Sequence, residues 1–152
     1  MLDRLRRPWF LVLLTVMLVA GLALVVIGGR TSAKDRFTGQ AAEICRDSKS
    51  SIQEASDAIL GTSPSPGAIA RFLGGAFTAE LRDRMARLRA LDLPEDDADE
   101  IGALFSDYEA VIETIRADPA AYADQRADPF TDVDARFDAY GLHECGSARI
   151  GT

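Results

Sequence analysis

Apolar residues run unbroken from Trp9 to Gly29 and thereafter recur every three or four positions. The first pattern covers 21 residues without a charge, with Thr15 as its one polar side chain. As a helix rising 1.5 Å per residue it would span roughly 30 Å, the thickness of a bilayer's hydrocarbon core. The second pattern predicts a series of amphipathic helices.

From Asp35 to Leu60 the apolar stripe is Phe37, Ala41, Ile44, Cys45, Ser48, Ile52, Ala55 and Ile59. It is thin, with Ala and Ser at its centre, and would let neighbouring helices come close. Residues 61–67 (GTSPSPG) break the pattern. A second helix is expected from Ala68 to Leu91, with Ile69, Phe72, Leu73, Phe77, Leu81, Met85, Leu88 and Leu91 on one face. Gly74-Gly75 interrupts it at a cost in helix propensity; close packing or a mild kink accounts for the pair more simply than a hinge. A third helix, from Glu95 to Ala117, presents Ile101, Leu104, Phe105, Tyr108, Val111, Ile112 and Ile115. Asp118-Pro119 ends it and caps a short Ala-rich helix containing Tyr122. A last helix after Asp128-Pro129 offers Phe130, Val133, Phe137, Tyr140 and Leu142 to the core. Thr131 and Asp134 resemble a capping box with Asp in place of Glu. Gly141 suits the left-handed residue that closes a helix.

The expected fold is therefore all-α: a single N-terminal transmembrane helix followed by a small disulfide-linked antiparallel helical bundle. Residues 1–8 would be a cytoplasmic segment, 9–29 the span and 30–36 a linker and the start of the first helix. Residues 37–147 would form a bundle of four helices, with a possible fifth segment, and 148–152 a tail. Side chains sum to +2 on each flank of the span. The amino terminus and the acidic body behind the span then favour a cytoplasmic N-terminus under the positive-inside rule. A cleaved signal peptide with a weak site at Thr31-Ser32-Ala33 is the competing reading, although its apolar region would be shorter. Both readings export the rest of the chain. The expected localisation is the plasma membrane, single-pass, with the C-terminal domain extracytoplasmic.

Beyond residue 30 the formal charge is −10, which excludes nucleic acid as a partner and disfavours anionic lipid. The two cysteines, Cys45 and Cys145, fall on the expected exported side, where disulfides form. A bond between them would close a loop of about 100 residues, worth roughly 4.7 kcal/mol in a chain-entropy account. An intermolecular bond and a reactive pair are the alternatives; no CxxC motif is present.

The ending Phe137 to Gly146, with Tyr140, Cys145 and Gly146 set against the early Cys45, resembles that of small exported helical proteins of actinobacteria. Those proteins join an N-terminal anchor or signal to a helical domain and are largely without assigned function. The resemblance implies the disulfide and the exported location, and no active site.

Candidate chemistry is sparse. His143, the only histidine, lacks a nucleophile motif such as G-x-S-x-G, and with two cysteines it falls short of a zinc set. Six carboxylates between Asp92 and Glu100 lack the spacing of an EF-hand loop and read as the acidic start of a helix. P-loop, dinucleotide and S-x-x-K motifs are missing. No catalytic, cofactor-binding or metal residue is therefore assigned, and no cofactor is expected. Arg82, Arg84, Arg87 and Arg89 are the candidate partner contact; a solvated face of local ion pairs is the simpler account.

The expected function is that of a non-enzymatic, membrane-anchored accessory protein, docking onto an envelope protein or membrane complex. One alternative is a ligand-binding or sensing module, its pocket lined by Phe72, Phe77, Phe105, Tyr108, Phe137 and Tyr140. The other is a passive envelope structural protein. A homo-oligomer has no support in the sequence.

Overall fold

The structure, a computed structural model, describes residues 32–124 and 128–146. The described helices belong to one compact unit that begins at Ala33. In chain order they are α1 (Ala33–Leu60), α2 (Pro66–Phe72), α3 (Thr78–Arg89), α4 (Ala98–Ala117), α5 (Pro119–Asp124) and α6 (Thr131–Tyr140). A π-helical segment, Leu73–Phe77, joins α2 to α3. Single 3-10 turns, Glu95–Asp97 and His143–Cys145, precede α4 and follow α6.

The expected span, residues 9–29, lies outside the described residues, as do segments 1–8 and 148–152. Among the described residues no helix is long and apolar enough to cross a membrane. Four of the helices are too short, and the two long ones carry too much charge. α1 has 28 residues but carries Lys34, Asp35, Arg36, Glu43, Arg46, Asp47, Lys49, Glu54 and Asp57 around a narrow apolar face. α4 has 20 and carries Asp99, Glu100, Asp107, Glu109, Glu113 and Arg116. Four expectations drawn from the span are thereby corrected: the membrane-anchored fold class, the function of a membrane-anchored accessory protein, the single-pass plasma-membrane localisation and the membrane-embedded partnership. What is observed is an all-α, disulfide-linked helical bundle.

The bundle is organised around α3 and α4. α1 packs on α2, α3 and the His143–Cys145 turn; α3 packs on α4, α4 on α6, and α2 on α5. Side-chain pairs give the directions. Arg82 meets Glu113 while Arg89, two turns further along α3, meets Glu109, so α3 and α4 run antiparallel. Arg136 meets Asp107 and Tyr140 meets Asp97, so α4 and α6 do too.

The apolar stripes become the core. Phe37, Ala41, Cys45 and Ile52 of α1 are buried, as are Leu81, Met85 and Leu88 of α3. So are Ile101, Leu104, Phe105, Tyr108, Ile112 and Ile115 of α4, with Phe130, Val133, Phe137, Tyr140 and Leu142 around α6. The end of α1 departs from expectation: Ile59 is 48% exposed. It lies in the last turn, beyond the buried Ile52.

Local chemistry sets the element ends. The Ser65 side chain accepts from Ala68 N, and Pro66 occupies the first turn of α2, where its missing N–H costs nothing. Asp118 Oδ1 accepts from Ala121 N at the start of α5. Gly141, at φ +104°, closes α6 in a Schellman-type arrangement, with Leu142 N donating to Phe137 O. The expected capping box is not formed. Thr131 is already inside the helix and donates to Asp128 O, and Asp128 Oδ1 takes the Phe130 N–H.

The helix expected from Ala68 to Leu91 is divided at the glycines. Across Leu73–Phe77 the backbone widens to π geometry, and the Thr78 hydroxyl, in contact with both Gly74 O and Gly75 O, bonds back to that turn. Gly74 faces α5 so closely that a Cβ there would lie 3.0 Å from Pro119 Cγ, whereas a Cβ on Gly75 would meet nothing within 4 Å. Close packing thus explains Gly74. The two glycines are therefore expected to behave oppositely in denaturant unfolding of the full chain. Gly75→Ala should stabilise it by about 0.5–1 kcal/mol through backbone entropy, and Gly74→Ala should lose at least about 1 kcal/mol through overpacking on Pro119. Equal effects would reject the close approach as the reason for the break.

Candidate functional site

Arg84 sits on α3 one turn after Leu81 and beside Met85, within the apolar stripe itself. It is 1% exposed and is the largest fully buried side chain of the described residues. Its guanidinium reaches three other parts of the bundle. Nε donates to Ser48 Oγ of α1 at 2.9 Å, and Nη1 donates to Tyr108 Oη of α4 at 3.2 Å and to the carbonyl of Cys145 at 3.4 Å. Nη2 is buried with no hydrogen-bond partner among the described residues. Arginine cannot shed its proton in a protein, so the charge stays.

The disulfide lies beside this group. Cys45 and Cys145 are bonded, 100 residues apart in sequence, and both are 0% exposed. The bond holds the His143–Cys145 turn against α1 and so keeps the Cys145 carbonyl within reach of Arg84. Tyr108 is fixed from the other side by Phe130 and Phe137, whose ring centroids lie 4.8 and 5.2 Å away. Burial pushes the Tyr108 hydroxyl up to about 12, against the pull of Arg84. Tyr122 is also pushed up to about 12 by burial and by the nearby Asp128 and Asp134. Tyr140 is raised by burial and by its 2.7 Å hydrogen bond to Asp97.

The four arginines expected to form one contact patch are separated by the helix turn. Arg84 points into the core. Arg82 and Arg89, two turns apart, lie on the seam with α4 against Glu113 and Glu109. Arg87 lies on the seam with α1, 3.2 Å from Asp47. Arg89 and Glu109 make a two-pronged pair at 2.8 and 2.9 Å, which raises the arginine and holds the carboxyl below its usual range. Being largely exposed, such pairs add little stability.

Elsewhere the expected chemistry is spread out. His143 Nδ1 lies 3.3 Å from Asp138 Oδ1, with both side chains exposed. Asp97 of the acidic run is engaged by Tyr140. Among the described residues no group of three or more His, Cys, Asp or Glu side chains is placed to hold a metal ion. The six aromatic residues expected to line a pocket are packed into the core, with Phe72 on Phe77, Phe105 on Phe137 and Tyr140 on Phe37.

Sequence reasoning missed the Arg84–Ser48–Tyr108 cluster as a unit, yet a signal for it was present. Positions 81, 84, 85 and 88 share one helical face, and Ser48 lies on the buried stripe of α1, so the spacing of Arg84 points inward where its charge points outward. No protein-family model matches the chain, and no curated protein or solved structure matches it either.

Two outcomes follow from this geometry. Arg84→Ala should cost about 3 kcal/mol or more, since it opens a cavity and strips three hydrogen bonds; Arg84→Met, which refills the volume, should cost less. If Arg84→Ala proved as mild as Arg82→Ala in denaturant unfolding, the buried cluster would not support the fold. The second outcome concerns pH. Folding favours the neutral tyrosines, so their contribution is complete below about pH 10, where unfolded tyrosine titrates. It is lost as pH rises from there through about 12. Absorbance of the folded chain at 295 nm should show less than half the tyrosinate at about pH 11, against nearly complete ionisation in denaturant. Ordinary titration near 10 in the folded chain would contradict the burial of these rings.

Proposed function

We propose that the described bundle is a non-enzymatic interaction module that works through its surface rather than through a cleft. The observation that carries this reading is the placement of the reactive side chains. Cys45 and Cys145 are bonded and buried, and Arg84, Ser48 and Tyr108 are buried and engaged with one another. His143 is paired with Asp138 on the surface. A nucleophile, an orienting base and an acid within reach of one another, which acyl or phosphoryl transfer would need, are not assembled among these groups. Docking onto an envelope or membrane complex, which depended on the anchor, is not carried forward.

The groups available for contact are the exposed arginines of α3, now on two separate seams. The Arg82 side chain is 60% exposed, Arg87 40% and Arg89 41%. Their carboxylate pairs are weak enough to be exchanged for those of a partner. Arg84 takes no part, and reversing its charge would test folding rather than contact.

The test is affinity capture with the full chain, comparing the wild type with Arg82→Glu/Arg89→Glu and with Arg87→Glu. One double or single reversal should reduce recovery of a stoichiometric partner about tenfold, equivalent to roughly 1.4 kcal/mol of binding, with the unfolding midpoint unchanged. Equal recovery by all three proteins would remove both seams as the contact surface.

A further inference from the structure

The hydrogens around Arg84 do not balance. The guanidinium carries five N–H donors. Three are used, on Ser48 Oγ, Tyr108 Oη and the Cys145 carbonyl. The two on Nη2 meet no acceptor among the described residues. Ser48 and Tyr108 both accept from the arginine, so each hydroxyl keeps its own hydrogen to donate, and neither makes a donated bond within the described structure. The cluster is rich in donors and short of acceptors.

The charge does not balance locally either. Arg82, Arg87, Arg89, Arg116 and Arg136 each meet a carboxylate at ion-pair distance. Among the described residues, Arg84, the buried one, has neutral oxygens as its hydrogen-bond partners, and the carboxylates of Asp128 and Asp134 reach its partner Tyr108 through their field rather than by contact. A buried cation without a counter-charge in contact is costly. Ionising Tyr108 would supply an anion on the spot, but burial holds that hydroxyl neutral to about 12.

We infer that Arg84 Nη2, with the hydroxyls of Ser48 and Tyr108 turned toward it, binds a small monovalent anion of halide size inside the bundle. An acceptor-only ion takes up the surplus donors and offsets the guanidinium charge together. A water molecule would bring two more hydrogens into a donor-rich place and leave the charge as it is. A divalent oxyanion is disfavoured by its size and by its second charge, which the single guanidinium does not offset and which the field of Asp128 and Asp134 at Tyr108 opposes more strongly than it opposes a single charge. The site is closed by α1, α3, α4 and the disulfide-held turn, so the ion enters with folding or through local opening. Its function is structural: it makes the buried cation tolerable.

The experiment uses the full chain at constant ionic strength, with bromide or chloride progressively replacing methanesulfonate. A ligand bound only by the folded state raises the thermal midpoint with the logarithm of its concentration once the site fills. The wild type should show that rise, Tyr108→Phe a smaller one, and Arg84→Met none. Should Arg84→Met fail to fold, crystals grown in bromide decide, with an anomalous peak expected within hydrogen-bonding distance of Arg84 Nη2. A midpoint indifferent to halide, or an ordered water at Nη2 without anomalous signal, would overturn the inference.

Discussion

A guanidinium that cannot lose its charge sits in the middle of this bundle, and the arrangement around it follows from that constraint. The oxygens that serve Arg84 come from α1, from α4 and from the turn after α6. Each must be held in place by its own element, so α3 dictates the separation of three neighbours at one point. Hydrophobic burial sets the helices together without specifying register; directional donors on a rigid planar group do specify it. The stripe of α1 is light in apolar side chains, and its Ser48 contributes position where a larger residue would contribute only area.

The disulfide serves the same point from the chain's far end. The His143–Cys145 turn is short and follows a helix of ten residues. Bonded to Cys45, it stays against α1 and delivers its carbonyl to Arg84. The covalent bond limits the unfolded ensemble, and the hydrogen bond uses the geometry that results.

The outer surface is built on a different principle. Acidic residues of α4 and α1 face arginines of α3 along the helix seams, at distances typical of exposed ion pairs, and Arg136 of α6 meets Asp107 of α4. These pairs neutralise much of the basic charge of α3. They are cheap to rearrange, which is why a surface role fits them better than a role in stability.

Much of this was legible in the chain. The three-to-four spacing located the buried faces of α1, α3, α4 and α6 because each helix has only one direction in which to hide apolar side chains. Gly141 marked the end of α6, since few other residues tolerate its backbone angles. Cys45 and Cys145 were the only partners available to each other within the chain. Tertiary structure alone decided the rest. Whether Gly74 was a hinge or a contact depended on Pro119, 45 positions away and brought alongside only by packing. Whether Arg84 faced solvent or core depended on oxygens from three distant segments. A cation is buried only where separate elements converge to satisfy it, and that convergence is a property of the assembled bundle that periodicity in one helix does not encode.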